Sequence, residues 1–283
     1  LSALEDNKFF EFTNNIIEKN QGASILSASG TEMSNIMVSS NKIQDNIFAN
    51  TLFIIDMILH NGNILFVENL FQNNTLSVDD TDLNTMNSFI EVSSEASNET
   101  ALFIFNKCVF KGNKYKNTRR FNQYSQLNAM FNLLLANSSL ILNSSVFEDT
   151  LMMNPGSDLF YIAAENVVVM NSRFENMEII EGNSLFNLLA QRITFDENKF
   201  FKTKIPHGKG LFHISPYPFL KETVLLYIES NHFCEVLSRE HSANILFVEN
   251  SEIELIARDN LMVDTFSLSP VFYFSNTRFM EDS

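Results

Sequence analysis

Apolar and polar residues alternate along most of this chain in short stretches of about four to six positions, an arrangement typical of β-strands. One kind of block begins with a small or polar residue, continues with an apolar pair and then alternates, as in NTLFIID from Asn50 and SDLFYIA from Ser157. A second kind is an apolar strand that runs into Asn and then reaches another large apolar residue, as in VVVMNSRF, which contains Asn171. The 3.6-residue spacing of an amphipathic helix persists nowhere, so the chain is predicted to be all-β.

The two blocks follow each other in turn along the chain, with a period of about 26 to 29 residues where no insertion intervenes. This period fits one coil of a three-sided β-solenoid, in which stacked coils bury a core that a single coil cannot bury alone. We predict one continuous right-handed, single-stranded parallel β-helix of about nine coils over residues 1–283. Its inward-facing pairs would be Phe53/Ile55, Phe131/Leu133, Phe160/Ile162, Phe186/Leu188, Phe212/Ile214 and Phe272/Phe274.

Asparagine is expected to form the corners of the coils. It makes up about one residue in eight, whereas the chain has only 8 Gly and 5 Pro, and Asn both tolerates the left-handed conformation and bonds nearby backbone. Equivalent Asn side chains on successive coils would form a hydrogen-bonded ladder. A large apolar residue follows this Asn by two positions in some coils and by three or four in others, which predicts a second, tighter or bulged corner. The predicted ladder residues are Asn41, Asn69, Asn106, Asn143, Asn171, Asn198, Asn231 and Asn260.

Loop insertions are expected at about 72–87, 111–127, 202–208 and 215–222, and such insertions often mark the binding face of a repeat protein. The second of them concentrates basic and aromatic residues in a chain of net charge −15. It is either a contact for another protein or an acidic glycan, or a solvated loop. Its candidate contact residues are Lys111, Lys114, Tyr115, Lys116, Arg119, Arg120, Phe121 and Tyr124.

The acidic net charge argues against nucleic acid and anionic membranes as partners, and no stretch is long and apolar enough to insert into a membrane. The first residues lack the features of a signal peptide and already resemble the repeat. We therefore expect a piece of a longer extracellular or cell-surface chain, whose flanking segments carry any anchor and cover the open β-edges. Sequons make Asn73, Asn98 and Asn137 candidate glycosylation sites, whereas Asn143 is predicted to be buried in the ladder.

Candidate metal and thiol chemistry is sparse. Asp79, Asp80 and Asp82 lie in one predicted insertion and are candidates for a Ca²⁺ site, with a solvated acidic loop as the alternative. The five His residues show no metal-ligand spacing, and no other cofactor is indicated. Cys108 and Cys234 are separated by about four coils, beyond the reach of a disulfide, so both are predicted to be unpaired and buried.

The pattern apolar-x-apolar-x-Asn-Ser-x-Phe, seen in VVVMNSRF and LILNSSVF, resembles the coils of the right-handed parallel β-helix superfamily, also called pectin-lyase-like. The Asn- and Phe-rich, Gly-poor style is similar to that of large surface proteins of ciliate protists. Hydrolases of the superfamily share a compact cluster of Asp, Asp-Asp, Gly-His-Gly and Arg-x-Lys. Here Asp79-Asp80 and His207-Gly208 would lie about four coils, or roughly 20 Å, apart, so the resemblance does not extend to that catalytic cluster.

These observations favour a non-catalytic β-helix module of a cell-surface or extracellular protein, acting in adhesion, recognition or assembly. Its expected partners are other protein subunits, surface glycans and flanking segments of the same chain. The alternative is a polysaccharide lyase or hydrolase whose site differs from the known clusters, and this would be favoured by a groove lined with carboxylates and aromatic rings. An intracellular structural rod is a third hypothesis, which a signal peptide or glycans on the sequons would exclude.

Overall fold

The chain folds into a parallel β-solenoid, as its alternating pattern predicts. A computed structural model describes residues 9–22, 24–78, 88–96, 101–117, 129–153, 156–180, 182–215, 223–238, 245–249, 251–267 and 270–279. Within these ranges there are only strands and turns, and the strands form three sheets, one of fourteen strands and two of nine. The solenoid completes about seven turns rather than the nine expected, although the second and third sheets have nine strands each.

Each coil contributes a long strand to the first sheet and two short strands to the second and third sheets. The first sheet contains β1 (Phe9–Thr13), β4 (Leu26–Ser39), β7 (Phe53–Val67), β10 (Ile90–Ala96), β11 (Ala101–Asn106), β14 (Ala129–Asn143), β17 (Asp158–Met170), β20 (Ser184–Asp196), β23 (Gly210–Ile214), β24 (Val224–Glu229), β27 (Leu246–Glu249), β28 (Glu252–Arg258), β31 (Phe272–Ser275) and β32 (Arg278–Phe279). The long strands have an amino half and a carboxyl half, which are separate strands where residues intervene, as in β10 and β11.

The short strands have two to four residues each. The second sheet contains β2 (Ile16–Glu18), β5 (Lys42–Gln44), β8 (Leu70–Gln72), β12 (Val109–Lys111), β15 (Val146–Glu148), β18 (Arg173–Glu175), β21 (Lys199–Phe201), β25 (His232–Cys234) and β29 (Leu261–Val263). The third sheet contains β3 (Gln21–Gly22), β6 (Ile47–Phe48), β9 (Thr75–Val78), β13 (Lys114–Asn117), β16 (Leu151–Met153), β19 (Glu178–Ile180), β22 (Lys204–Ile205), β26 (Leu237–Ser238) and β30 (Phe266–Ser267). Residues 72–78, 111–117 and 204–205 therefore belong to regular coils. The insertions predicted at 72–87 and 111–127 thus began too early, and the one predicted at 202–208 is part of a regular coil.

The core is a set of parallel columns of apolar side chains. In the second sheet, phenylalanine rings stack face to face, with centroids 4.6 to 5.2 Å apart. This column contains Phe71, Phe110, Phe147, Phe174, Phe200 and Phe233. The predicted inward pairs of the first sheet are also confirmed: all are fully buried except Phe272 and Phe274, which are only partly buried in the last coil.

The predicted ladder exists, and its hydrogen bonds are more extensive than side chain to side chain. The backbone N–H of Asn41 donates to Oδ1 of Asn69 at 3.1 Å, and Nδ2 of Asn41 donates to the same oxygen at 3.0 Å. Nδ2 of Asn69 in turn donates to the carbonyl of Val38 at 2.7 Å. One amide thus satisfies backbone groups on the preceding coil, which is why a buried Asn is stable at this corner.

Three of the predicted ladder residues were assigned wrongly. Asn106, Asn143 and Asn171 lie on the outer surface beside the column, where Asn171 has a φ of 50°. Cys108, Ser145 and Ser172 occupy the column instead, and the backbone N–H of Cys108 donates to Oγ of Ser145 at 3.1 Å. The residue two positions before the inward apolar side chain is therefore the ladder residue in every described coil, and the predicted second form of the corner does not occur. The column contains Asn15, Asn41, Asn69, Cys108, Ser145, Ser172, Asn198, Asn231 and Asn260.

A second ladder, which the sequence analysis missed, stabilises the corner between the second and third sheets. The backbone N–H groups of Asn20, Asn46 and Asn74 donate to Oδ1 of the next Asn in the column, at 2.9 to 3.2 Å, and the last acceptor is Asn113. The residue before each ladder position adopts a left-handed φ near 50 to 65°, for example Glu68 and Asn73. A repeated left-handed residue followed by a ladder residue makes each of these two corners.

Candidate functional site

The most unusual surface is the outer side of the carboxyl half of the first sheet. Alternate residues of these strands are buried in the core, so their neighbours in sequence point outward. Through five consecutive coils none of these outward residues is charged, and all except Ser39 keep partial exposure. We call this surface the uncharged face, and it contains Asn35, Met37, Ser39, Asn63, Leu65, Val67, Leu102, Ile104, Asn106, Ser139, Ile141, Asn143, Asn166, Val168 and Met170.

The uncharged face has an apolar centre and an amide-rich rim. Its middle column is apolar in every coil and consists of Met37, Leu65, Ile104, Ile141 and Val168. Along one rim Nδ2 of Asn166 donates to Oγ of Ser139 at 3.0 Å, and along the other Nδ2 of Asn143 donates to Oδ1 of Asn106 at 3.2 Å. An apolar centre depleted of charge within a polar rim is the composition of a protein–protein interface.

Charged residues lie at both ends of the uncharged face and on the outer side of the second sheet. Glu11 pairs in register with Met37 at one end, while Arg192 and Asp196 pair with Asn166 and Met170 at the other. In four of the same five coils the outer side of the second sheet carries a charged residue, namely Lys42, Lys111, Glu148 and Arg173. The fold itself therefore does not require an uncharged outer surface.

A track of polar side chains runs along the amino half of the first sheet, and it begins at Asp158. Asp158 is 2% exposed. Its Oδ1 accepts a hydrogen bond from the Ser184 hydroxyl, and its Oδ2 accepts one from Nδ2 of Asn187 at 2.8 Å. Burial nevertheless raises the pKa of Asp158 to about 6, because removing a carboxylate from water disfavours its charged form more than these bonds favour it.

The track continues around His213, which is 5% exposed. Its Nε2 lies 3.2 Å from Nζ of Lys209, 3.0 Å from Oε1 of Glu249 and 3.1 Å from Oγ of Ser215. Lys209 also donates to Oε1 of Glu249 at 3.0 Å and lies 5.2 Å from the centroid of the Phe247 ring. Burial, together with the charge of Lys209, lowers the pKa of His213 to about 4, so the imidazole is neutral at pH 7.

The polar track does not have the geometry of a known hydrolytic centre. Ser215 and Glu249 both contact Nε2 of His213, while Nδ1 is buried without a hydrogen-bond partner; a triad needs the two partners on opposite ring nitrogens. Asp158 and Glu249 lie on strands three positions apart in the sheet, or about 14 Å at a strand spacing of about 4.8 Å. Paired carboxylates of glycosidases are about 5 to 9.5 Å apart.

The residues of the predicted basic loop have different positions in the structure. Tyr115 is 0% exposed and belongs to the core, because it is the inward residue of β13, so its assignment to a binding loop is corrected. Lys114 and Lys116 flank it and point outward, and both are exposed. Nζ of Lys111 lies 3.1 Å from Oε1 of Glu148 on the next coil. Four of the predicted contact residues lie outside the described ranges: Arg119, Arg120, Phe121 and Tyr124.

The remaining candidates have separate outcomes. Asn73 and Asn137 are exposed at residues with left-handed φ, whereas Asn98 lies outside the described residues. Both cysteines are unpaired as predicted, but Cys234 is partly exposed and only Cys108 is buried. Asp79, Asp80 and Asp82 also lie outside the described ranges. In the described part of the chain, no group of three His, Cys, Asp or Glu residues is placed to hold a metal ion.

The uncharged face was missed although the sequence contains a signal for it. Runs such as VVVM and LFIF are apolar at successive positions, which indicates a strand with apolar residues on both sides. The prediction considered only the inward residues, so outward ones such as Val168 and Ile104 were not identified. The polar track left no comparable signal, because its members come from four coils.

Comparisons with known proteins do not extend these assignments. No family model, no curated protein and no solved structure matches the chain. A search of the described residues for a helix able to cross a membrane finds none.

Proposed function

We propose that this chain is a non-catalytic interaction module of an extracellular or cell-surface protein, and that it binds another protein through the uncharged face. The observation that carries the proposal is the absence of charge from fifteen outward positions in five consecutive coils of a chain with net charge −15. An outward apolar column in water is unfavourable unless another surface covers it. Protein surfaces, unlike acidic glycans or nucleic acid, gain affinity mainly by covering apolar area.

Photo-crosslinking in the source organism tests this role. A photoreactive benzoylphenylalanine at Ile104, at the centre of the uncharged face, is expected to form an adduct with a protein partner. The matched control is the same residue at Val146, which also points outward and is partly exposed but lies in the second sheet. Equal labelling from both positions, or none from Ile104, would contradict binding at the uncharged face.

The extracellular location is supported by two sequons at exposed corners, Asn73 and Asn137. Glycan on either residue, found by mass spectrometry of the protein from its native source, would place the chain in the secretory pathway. Unmodified peptides at both positions would favour the intracellular rod instead.

A carbohydrate-active enzyme is the second candidate, and the polar track is what favours it. Lys209 and His213 lie beside the ring of Phe247, and Glu249 contacts both of them. The Phe247 ring also stacks on Tyr273 with centroids 5.3 Å apart, and rings beside acid and base groups suit sugar binding. Depolymerisation of a polysaccharide that is lost in Glu249→Gln would establish this activity. We expect no such turnover, because of the carboxylate separation and the burial of Asp158 and His213.

A further inference from the structure

We infer that the partner on the uncharged face is a second copy of this chain, related by a two-fold axis through the centre of that face. The inference rests on the proposed function, since it names the protein that the module binds. It follows from three features of the face: its charge, its periodicity and its size.

Two copies can approach through the uncharged face with less electrostatic repulsion than through a charged face. Each copy carries a net charge of −15, so copies repel each other over distances up to the Debye length, about 10 Å at 0.1 M salt. Contact through a charged face would add local repulsion or require opposite charges in register. The uncharged face needs neither, because its fifteen outward residues carry no charge to be matched or desolvated.

Periodicity favours another solenoid over a globular partner. Outward side chains of Leu65, Ile104 and Ile141 pair in register on successive strands, so ridges repeat about every 4.8 Å along the axis. A surface with the same repeat can interdigitate with these ridges through all five coils. A second copy supplies that repeat, and two such sheets would pack about 10 Å apart.

Size indicates a weak, concentration-dependent dimer. Five strands at about 4.8 Å and three outward residues per strand at about 6.8 Å give roughly 500 Å² per copy. Stable interfaces bury about 800 Å² per partner, and smaller ones are typical of transient association. We therefore expect dimers at concentrations of tens to hundreds of micromolar.

Symmetry places Ile104 at the axis, because it belongs to the third of the five coils. In a two-fold arrangement a residue at the axis faces itself in the other copy. Lys at this position therefore meets Lys, and Glu meets Glu, whereas a Lys copy and a Glu copy would form an ion pair.

Sedimentation velocity from about 1 to 500 µM tests the inference with the full 283-residue chain. The unaltered protein is expected to show a rising weight-average mass that does not fall when salt is raised from about 0.05 to 0.5 M, since screening reduces the repulsion. Ile104→Lys and Ile104→Glu should each raise the dissociation constant at least about 100-fold. An equimolar mixture of the two variants should associate again, and Val146→Lys should behave as the unaltered protein.

Three results would overturn the inference: a monomer at every concentration and salt, dimers that persist in Ile104→Lys, or no association in the mixture. Circular dichroism first confirms that each variant keeps its β-sheet signal. If the chain stays monomeric while the crosslinker at position 104 labels a different protein, self-association fails and the proposed function stands. If neither dimer nor adduct forms, both fail.

Discussion

Asp158 and His213 are expected to change stability in opposite directions over the same range of pH. Both are buried, but burial raises the pKa of the carboxyl and lowers that of the imidazole. The pKa of Asp158 moves from 3.8 to about 6, which corresponds to about 3 kcal/mol at about 1.4 kcal/mol per pH unit. That of His213 moves from 6.5 to about 4, which again corresponds to about 3 kcal/mol.

The sign of each contribution follows from which state holds more protons. Between about pH 4 and 6 the folded chain keeps the proton on Asp158 while the unfolded chain has lost it, so the free energy of unfolding falls as pH rises. Between about pH 4 and 6.5 the unfolded chain keeps the proton on His213 while the folded chain has lost it, so the free energy of unfolding rises. The two contributions nearly cancel in the unaltered protein.

Replacing either Asp158 or His213 should expose the pH-dependent stability contribution of the other residue. Asp158→Asn removes the falling contribution, so the variant should match the unaltered protein near pH 4 and exceed its stability by up to about 3 kcal/mol at pH 7. An amide fits the site, because Oδ1 of Asn187 is buried without a partner and a rotated Asn187 could accept from the new amide. His213→Gln should show the reverse pattern. It should exceed the stability of the unaltered protein by about 3 kcal/mol near pH 4, and this advantage should disappear by about pH 6.5.

Urea unfolding at half-unit steps from pH 4 to 8, followed by circular dichroism, measures these differences; the chain has no Trp to serve as a fluorescent probe. Other carboxylates titrate equally in all three proteins, so only the difference from the unaltered protein is interpreted. A difference for Asp158→Asn that does not vary with pH would refute the assignment of a raised pKa. A difference that grows toward low pH would refute its sign.

The corners and thiols give three further tests. Asn69→Ala should lower the free energy of unfolding by about 1 to 3 kcal/mol in urea, because the amide bonds of a buried column are lost, whereas Asn106→Ala, outside the column, should change it by less than about 0.5 kcal/mol. Glu197→Gly relieves a left-handed φ of 53° in a residue with a Cβ and should raise the thermal midpoint, because the strain of about 1 to 2 kcal/mol exceeds the added chain entropy of about 0.5 to 1 kcal/mol. Cys108, whose pKa burial raises to about 11, should resist iodoacetamide at pH 8 in the folded protein while the partly exposed Cys234 is labelled, as peptide mass spectrometry would record.

The fold was predictable because its core repeats more regularly than anything else in the chain. Phe160 and Phe186 recur at one phase of a 26-residue coil, and only stacked parallel strands place such residues in a column. The short strands were harder to predict, because a three-residue strand such as Val146–Glu148 is too short to show alternation. Residues 111–117 were therefore assigned to an insertion, and with them the inward Tyr115.

The existence of a polar ladder could be predicted, but not which residue forms it in every coil. Hydrogen bonding from one coil to the next needs a short polar side chain at the corner, and Ser145 and Ser172 meet that need as Asn does. A search for Asn alone chose Asn143 and Asn171, one or two residues away. Spacing from the inward Phe, which is constant, would have identified the column in each coil. The polar track could not be predicted, because its bonds join residues as far apart as Lys209 and Glu249.

The coil separates the residues that specify the fold from the outward residues, and this separation supports the proposed interaction through the uncharged face. Inward residues are fixed by the columns, and corner residues by the ladders. Outward residues are under neither constraint, as the charges of Lys42 and Arg173 on the second sheet demonstrate. An apolar outward column is also a hazard, since exposed apolar strands promote association. Its continuation from Met37 to Val168 through five coils therefore supports the proposal that a partner covers this face.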